Sequence, residues 1–169
     1  AAAWPERGEA LMRSTIILAG TILFALAFAR GAMAHCQIPC GIYGDEARFV
    51  EIEEHVRTIE KSMGEIRKLQ KRRRKDWNQL VRWVTNKEDH AKKIQALVLD
   101  YFLAQRIKPV ARGEGEQSLR EAYLRKLEIL HRMVVRAMKC KQTVDSSHTK
   151  ALLSLLSDFR ALYFAKPPR

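Results

Sequence analysis

The residues whose types and spacing could carry chemistry fall in one run of nine, His35-Cys36-Gln37-Ile38-Pro39-Cys40-Gly41-Ile42-Tyr43. It holds two thiols and an imidazole, and a chain that began at His35 would add a free α-amine beside the Cys36 amide. Thiolate sulfur and nitrogen suit a late first-row metal, and a tetragonal arrangement favours Ni(II) or Cu(II) over tetrahedral zinc. An amine next to an amide closes a five-membered chelate once the metal displaces the amide proton. Cys36 would then give both its amide nitrogen and its thiolate, Cys40 would complete a plane, and the His35 imidazole could reach an axial position. Pro39 stiffens the loop between the cysteines, and Gly41 turns the chain without a Cβ penalty. Two simpler readings stand beside this one. Cys36 and Cys40 could pair as a disulfide in an oxidising compartment, leaving Cys140 as a buried thiol. A zinc site would want a second Cys or His pair, which the sequence does not supply.

The metal reading depends on His35 being a terminus. Upstream, Met12-Arg13 precedes an uncharged apolar run, Ser14 to Ala29, and Arg30-Gly31-Ala32-Met33-Ala34 follows it. The run is shorter than the roughly 20 residues of a spanning helix. A positive start, an apolar middle and a final Ala-x-Ala form the signal-peptide pattern, so cleavage is expected after Ala34. Residues 1–34 are then an extension plus a cleaved signal segment, 35–43 a metal-binding hook and 44–169 the folded body. Secretion or periplasmic export is the expected destination, with no stable membrane association after cleavage.

The body that must position the hook reads as helices. Phe49, Ile52, Val56, Ile59, Met63, Ile66 and Leu69 recur every three or four residues after Asp45, a candidate N-cap. A second stripe opens at Asp76 with Trp77, Leu80, Val81, Val84, Ala91, Ile94, Val98, Tyr101 and Phe102, ended by Pro109 and Gly113-Glu114-Gly115. A third carries Leu119, Tyr123, Leu127, Leu130, Val134 and Met138, and a fourth, capped near Asp145, carries Leu152, Leu155, Phe159 and Leu162. Four amphipathic helices on short connections predict an all-α fold, an antiparallel four-helix bundle. No strand-period run, solenoid repeat, phosphate-binding Gly-rich loop, Gly-x-Ser-x-Gly or His-Glu-x-x-His is present, so parallel-sheet enzymes and the common hydrolase motifs are set aside.

The chain has 169 residues and a formal net charge of +12. Cleavage removes three arginines and two glutamates, so the remaining 135 residues keep +11. That excess suits an anionic partner, and a small anion drawn in by the field is the preferred reading. Lys71-Arg72-Arg73-Arg74-Lys75 is expected to be a solvated helix connection, and no spaced aromatic platform marks a nucleic-acid surface, so no nucleic-acid partner is expected. Glu128-x-x-His131 has the spacing of di-iron bundles but lacks the second copy such sites need. His55, His90 and His148 read as surface or core-edge residues, and Cys140 as an inert thiol.

His-Cys-x-x-Pro-Cys-Gly-x-Tyr at a processed terminus resembles the nickel superoxide dismutase family, with every fixed position present as His35, Cys36, Pro39, Cys40, Gly41 and Tyr43. Arg82-Trp83-Val84-Thr85-Asn86-Lys87-Glu88-Asp89-His90, with Asp100-Tyr101-Phe102 beyond it, resembles the second helix of one branch. The resemblance implies a homohexamer with one nickel per subunit, held by the His35 amine, the Cys36 amide and the Cys36 and Cys40 thiolates, with the His35 imidazole axial. It implies cycling between Ni(II) and Ni(III) as superoxide is disproportionated to dioxygen and hydrogen peroxide. Tyr43 would guard the open axial face, and a carboxylate of the first helix would support the imidazole. Ungapped counting gives Glu51 that role, with Glu53 and Glu54 as alternatives. The arginine that assists in some members has no counterpart, Asn86 standing at its place. The competing reading is a non-enzymatic secreted basic helical protein with a Cys36–Cys40 disulfide that binds a polyanion.

Overall fold

The structure, a computed structural model, describes residues 44–110 and 117–165. The hook residues His35, Cys36, Cys40 and Tyr43, the apolar run and the expected cleavage site lie outside them. Among the described residues there are four α-helices and no strand: α1 (Glu46–Lys71), α2 (Trp77–Ala96), α3 (Gln117–Gln142) and α4 (Ser147–Phe164). Between α2 and α3, the chain of α2 runs on as a π-helix, Leu97–Arg106. Packing of α1 on α2, α2 on α3, α3 on α4 and α4 back on α1 closes the expected antiparallel bundle.

The periodicity of α1 translates directly into burial. All seven apolar stripe residues from Phe49 to Leu69 are buried, joined by Ser62, whose hydroxyl donates to the Thr58 carbonyl at 2.9 Å. A hydroxyl on the buried face is tolerated because its own helix accepts the bond. The α2 start is capped as expected, with the Asp76 side chain accepting from the Gln79 backbone N–H at 3.1 Å. At the α4 start Asp145 accepts from the Ser147 backbone N–H at 2.8 Å and from its hydroxyl at 2.6 Å.

Three expectations need correction. Trp77 and Val81 keep 67% and 61% of their surface exposed, although they continue the α2 stripe. Leu119 and Met138 are exposed on α3, whose buried line is Leu130, Met133, Ala137 and Cys140. Leu130, Met133 and Ala137 follow the 3–4 spacing as well as the expected set does, so spacing alone leaves the stripe's rotation open by one position. Asp45 precedes α1 but makes no side-chain cap bond.

Lys87 is buried at 2% exposure on α2, and its ammonium donates to the Cys140 carbonyl at 2.6 Å and to the Lys141 carbonyl. A helix leaves its last carbonyls without internal partners, and a cation there satisfies them and opposes the negative end of the macrodipole. Lys87 thus fixes the level at which α3 ends against α2. Burial holds its pKa below the ordinary lysine range.

At the other end of the bundle the core is aromatic. Phe49, Phe102, Phe159 and Tyr163 pack with ring centroids 5.0 to 5.6 Å apart. Phe102 is fully buried among them, and tilted or edge contacts of this kind add about 0.5–1.5 kcal/mol per pair beyond area burial. Truncating Phe102→Ala is expected to cost about 3–5 kcal/mol through lost contacts and a residual cavity. Urea unfolding followed by circular dichroism checks this; a loss under about 1 kcal/mol would mean that the aromatic end is not tightly packed.

Candidate metal centre

The described chain begins immediately after the hook. Gly44 takes a left-handed conformation, φ +78°, which glycine adopts without the Cβ penalty of other residues. The turn delivers Asp45 into the aromatic end of the bundle, where its side chain keeps 11% of its exposure. One carboxylate oxygen, Oδ1, accepts from the Tyr101 hydroxyl, and Oδ2 accepts from the Tyr163 hydroxyl at 2.6 Å. The Arg106 guanidinium also donates to Oδ2, through Nε at 3.1 Å and through Nη2. The same Nε lies 3.1 Å from the Tyr163 hydroxyl.

The π-helix makes this cluster possible. A π-helix bonds residue i to i+5, so residues five apart stack on one face, where an α-helix stacks those three or four apart. Tyr101 and Arg106 are five apart and both reach Asp45; Phe102 and Ile107 are five apart, and both are buried. The Ile107 N–H closes the register on the Phe102 carbonyl at 2.9 Å.

Burial pushes the Asp45 carboxyl up, but the hydrogen bonds from Tyr101, Tyr163 and Arg106 and the Arg106 charge outweigh it and hold the group below its ordinary range. The tyrosines respond oppositely. Burial and then Asp45 raise both, Tyr163 to about 12. Asp45 is therefore an anion and its partners are donors at neutral pH, which is the combination that strengthens each bond.

Glu51 stands between one and two turns into α1. Its carboxylate pairs with Arg48, whose guanidinium lies 5.5 Å from the Tyr101 ring centre. Arg48 is thus an arginine beside Glu51 supplied from the same helix, a partner that counting along α2 does not find. Asn86, at the counterpart position, donates to Ser62 Oγ at 2.9 Å instead. Ser62 lies eleven residues beyond Glu51, about 16 Å along α1. Glu53 pairs with Arg57 and lines a shallow cavity with α4 residues, and Glu54 is exposed. Glu51 and Glu54, three residues apart, therefore share a face of α1, while Glu53 stands on another.

One turn beyond Glu51, His55 meets His90 of α2, Nδ1 to Nδ1 at 3.1 Å, with the rings edge to face. At that distance one ring donates and the other accepts, so the pair holds one proton between the two nitrogens. Burial first, and for His55 the His90 ring next, lower both pKa values. His131 is exposed and Glu128 pairs with Arg132 at 3.6 Å, which leaves the di-iron spacing a surface feature. Cys140 is a buried free thiol, pushed by burial up to about 11 and so protonated and unreactive at neutral pH.

Among the described residues no three His, Cys, Asp or Glu side chains gather as a metal site. The donor set 35–43, with two thiols, an imidazole and backbone nitrogen, has the chemistry that nickel requires. Arginines near its exit are neutralised: Arg48 by Glu51, Arg106 by Asp45, and Arg160 by Glu46. The unpaired basic run 71–75 follows the far end of α1, 26 residues or about 39 Å away, several screening lengths at physiological salt. The positive excess there is badly placed to draw a small anion to the hook.

Two acid-dependent effects follow. A depressed carboxylate contributes stability that is present above its unfolded pKa and is lost as pH falls through the folded one. The stability difference between the wild type and Asp45→Asn should therefore be full at neutral pH and shrink below about pH 4. For the histidines the unfolded chain binds protons that the folded one refuses, so stability should fall as pH drops below about 6.5, and His90→Gln should weaken that slope. Urea midpoints across pH test both; a pH-independent Asp45→Asn difference would show that the carboxylate's charge is not what its partners hold.

No curated protein and no solved structure matches the chain. Residues 30–166 match the family described as nickel-containing superoxide dismutase, a span that includes the hook and nearly all of the bundle. The chain belongs to that family, and it is therefore an oxidoreductase with a nickel cofactor.

Proposed function

We propose that the protein disproportionates superoxide at a nickel ion that the His35 amine and imidazole, the Cys36 amide nitrogen and the Cys36 and Cys40 thiolates would hold. The observation that carries this reading is the family match over residues 30–166, a span that contains His35, Cys36, Pro39, Cys40, Gly41 and Tyr43. When bound, nickel supplies one-electron exchange between Ni(II) and Ni(III), so that one superoxide leaves as dioxygen and the next, with two protons, leaves as hydrogen peroxide. Anionic thiolates and an amide donor bring the nickel potential into the range this exchange needs.

The remaining residues position and protect. Tyr43, two residues before Asp45, would limit access to the metal and order water for proton delivery. Glu51 would accept from the His35 imidazole and is itself steadied by Arg48. A fixed carboxylate behind a ligating imidazole sets its tautomer and orientation, and loss of such a partner typically costs 10–100-fold in metal affinity or activity. Asp45 holds the chain's entry into α1 against Tyr101, Arg106 and Tyr163, so the hook has a rigid base.

Export with signal cleavage after Ala34 creates the amine donor, and it gives a secreted or periplasmic enzyme. The resemblance further implies a homohexamer, and exposed Val50, Leu99, Leu103 and Phe164 offer apolar surface for subunit contacts. Family membership favours this reading over a polyanion-binding protein with paired N-terminal cysteines.

Cys36→Ser and Cys40→Ser should each abolish dismutation while leaving the helical circular dichroism intact; activity retained in either variant would place the chemistry elsewhere. Glu51→Gln should lower activity about 10–100-fold, whereas Glu53→Gln and Glu54→Gln should change it little. A large loss at Glu53 or Glu54 with none at Glu51 would move the supporting role to that residue.

A further inference from the structure

The helices of the bundle do not all end at one level. α3 stops at Gln142, where Lys87 meets its last carbonyls, and the Val144 carbonyl of the α3–α4 connection accepts from Arg67. Past these points only α1 and α2 continue, and Asn86 on Ser62 binds them together where the projection begins. The end of α1, the connection 72–76 and the first ten residues of α2 form a helical hairpin that overhangs by about 15 Å.

This tip has an unusual surface. No α2 residue before Lys87 is fully buried. Trp77 and Val81, one turn apart on one face, are 67% and 61% exposed. Lys71, Arg72, Arg73, Arg74 and Lys75 are all exposed, and none of them forms an ion pair among the described residues. A half-buried Trp83 borders a shallow cavity of about 290 Å³ with Gln79, Arg82 and Asn86. The tip therefore presents five adjoining cations beside a projecting indole and a valine, a helix length from the start of α1.

We propose that the α1–α2 hairpin tip docks reversibly on an anionic lipid bilayer, the cations meeting the headgroups while Trp77 and Val81 enter the interface. Indole rings sit preferentially at the headgroup level, and each basic residue adds attraction to anionic lipid. No described helix is long and apolar enough to cross a membrane, so the association is peripheral. A nucleic acid would want a basic groove with several stacking rings, and the tip has one projecting ring on a convex end. A second copy seated on the same patch would oppose five cations with five. The sequence alone places Trp77 and Val81 in the core stripe, and their exposure frees them for a salt-reversible contact that is compatible with the expected lack of stable membrane association. The inference is independent of the metal centre.

The test is cosedimentation of the nickel-loaded protein with vesicles of phosphatidylglycerol mixed into phosphatidylcholine, compared with phosphatidylcholine alone. Binding to the anionic vesicles is expected, falling steeply with added salt, with weak binding to the neutral ones. Replacing Arg72, Arg73 and Arg74 with Ala should reduce it about a hundred-fold and Trp77→Ala about ten-fold, with dismutation in free solution unchanged. Equal binding to both vesicle types, or binding indifferent to these substitutions, overturns the proposal. So does a Trp77→Ala variant that loses subunits by light scattering, which would make the tip a contact between copies, or capture by heparin and RNA but not by vesicles.

Discussion

The geometry of this protein's working end turns on one buried carboxylate. Asp45 receives two tyrosine hydroxyls and an arginine from the π-helix and α4, and it does so one residue after the left-handed turn at Gly44. A nine-residue hook is too short to hold a metal geometry alone, so its precision must come from what it is tied to. Asp45, the second described residue after it, sits in a charge-assisted cluster resting on Phe49, Phe102 and Phe159 of the aromatic core. The π register of Leu97–Arg106 is the structural condition for that cluster, because it aligns Tyr101 with Arg106. Long π stretches are uncommon and are often found at functional sites.

Much of this was legible in the residues, and the limits are physical. The α1 stripe maps one for one onto burial because that helix is covered by neighbours along its length. The same pattern misled in α2, since periodicity tells which way a face points and not whether a partner helix extends far enough to cover it. Trp77 and Val81 lie beyond the level at which α3 ends. The candidate donors stand out in the sequence because they are consecutive. Asp45's role was hidden because its partners stand 56, 61 and 118 residues away, and locally an Asp before a helix looks like a cap. Apolar spacing could not have revealed the π turn either, as Val98, Tyr101 and Phe102 satisfy an α stripe equally well.

Charge divides the molecule. At the start of α1 the arginines Arg48, Arg106 and Arg160 each have an acidic partner. The basic excess at residues 71–75 lies a helix length away, on a projecting tip that the chemistry does not need.

The central claim is that processing creates the metal site, and N-terminal sequencing of the exported protein together with its nickel content tests it most directly. The account requires a chain that begins at His35 and carries one nickel per subunit. A mature chain that begins at any other residue, or one that begins at His35 with full thiol content and no stoichiometric nickel, would contradict it.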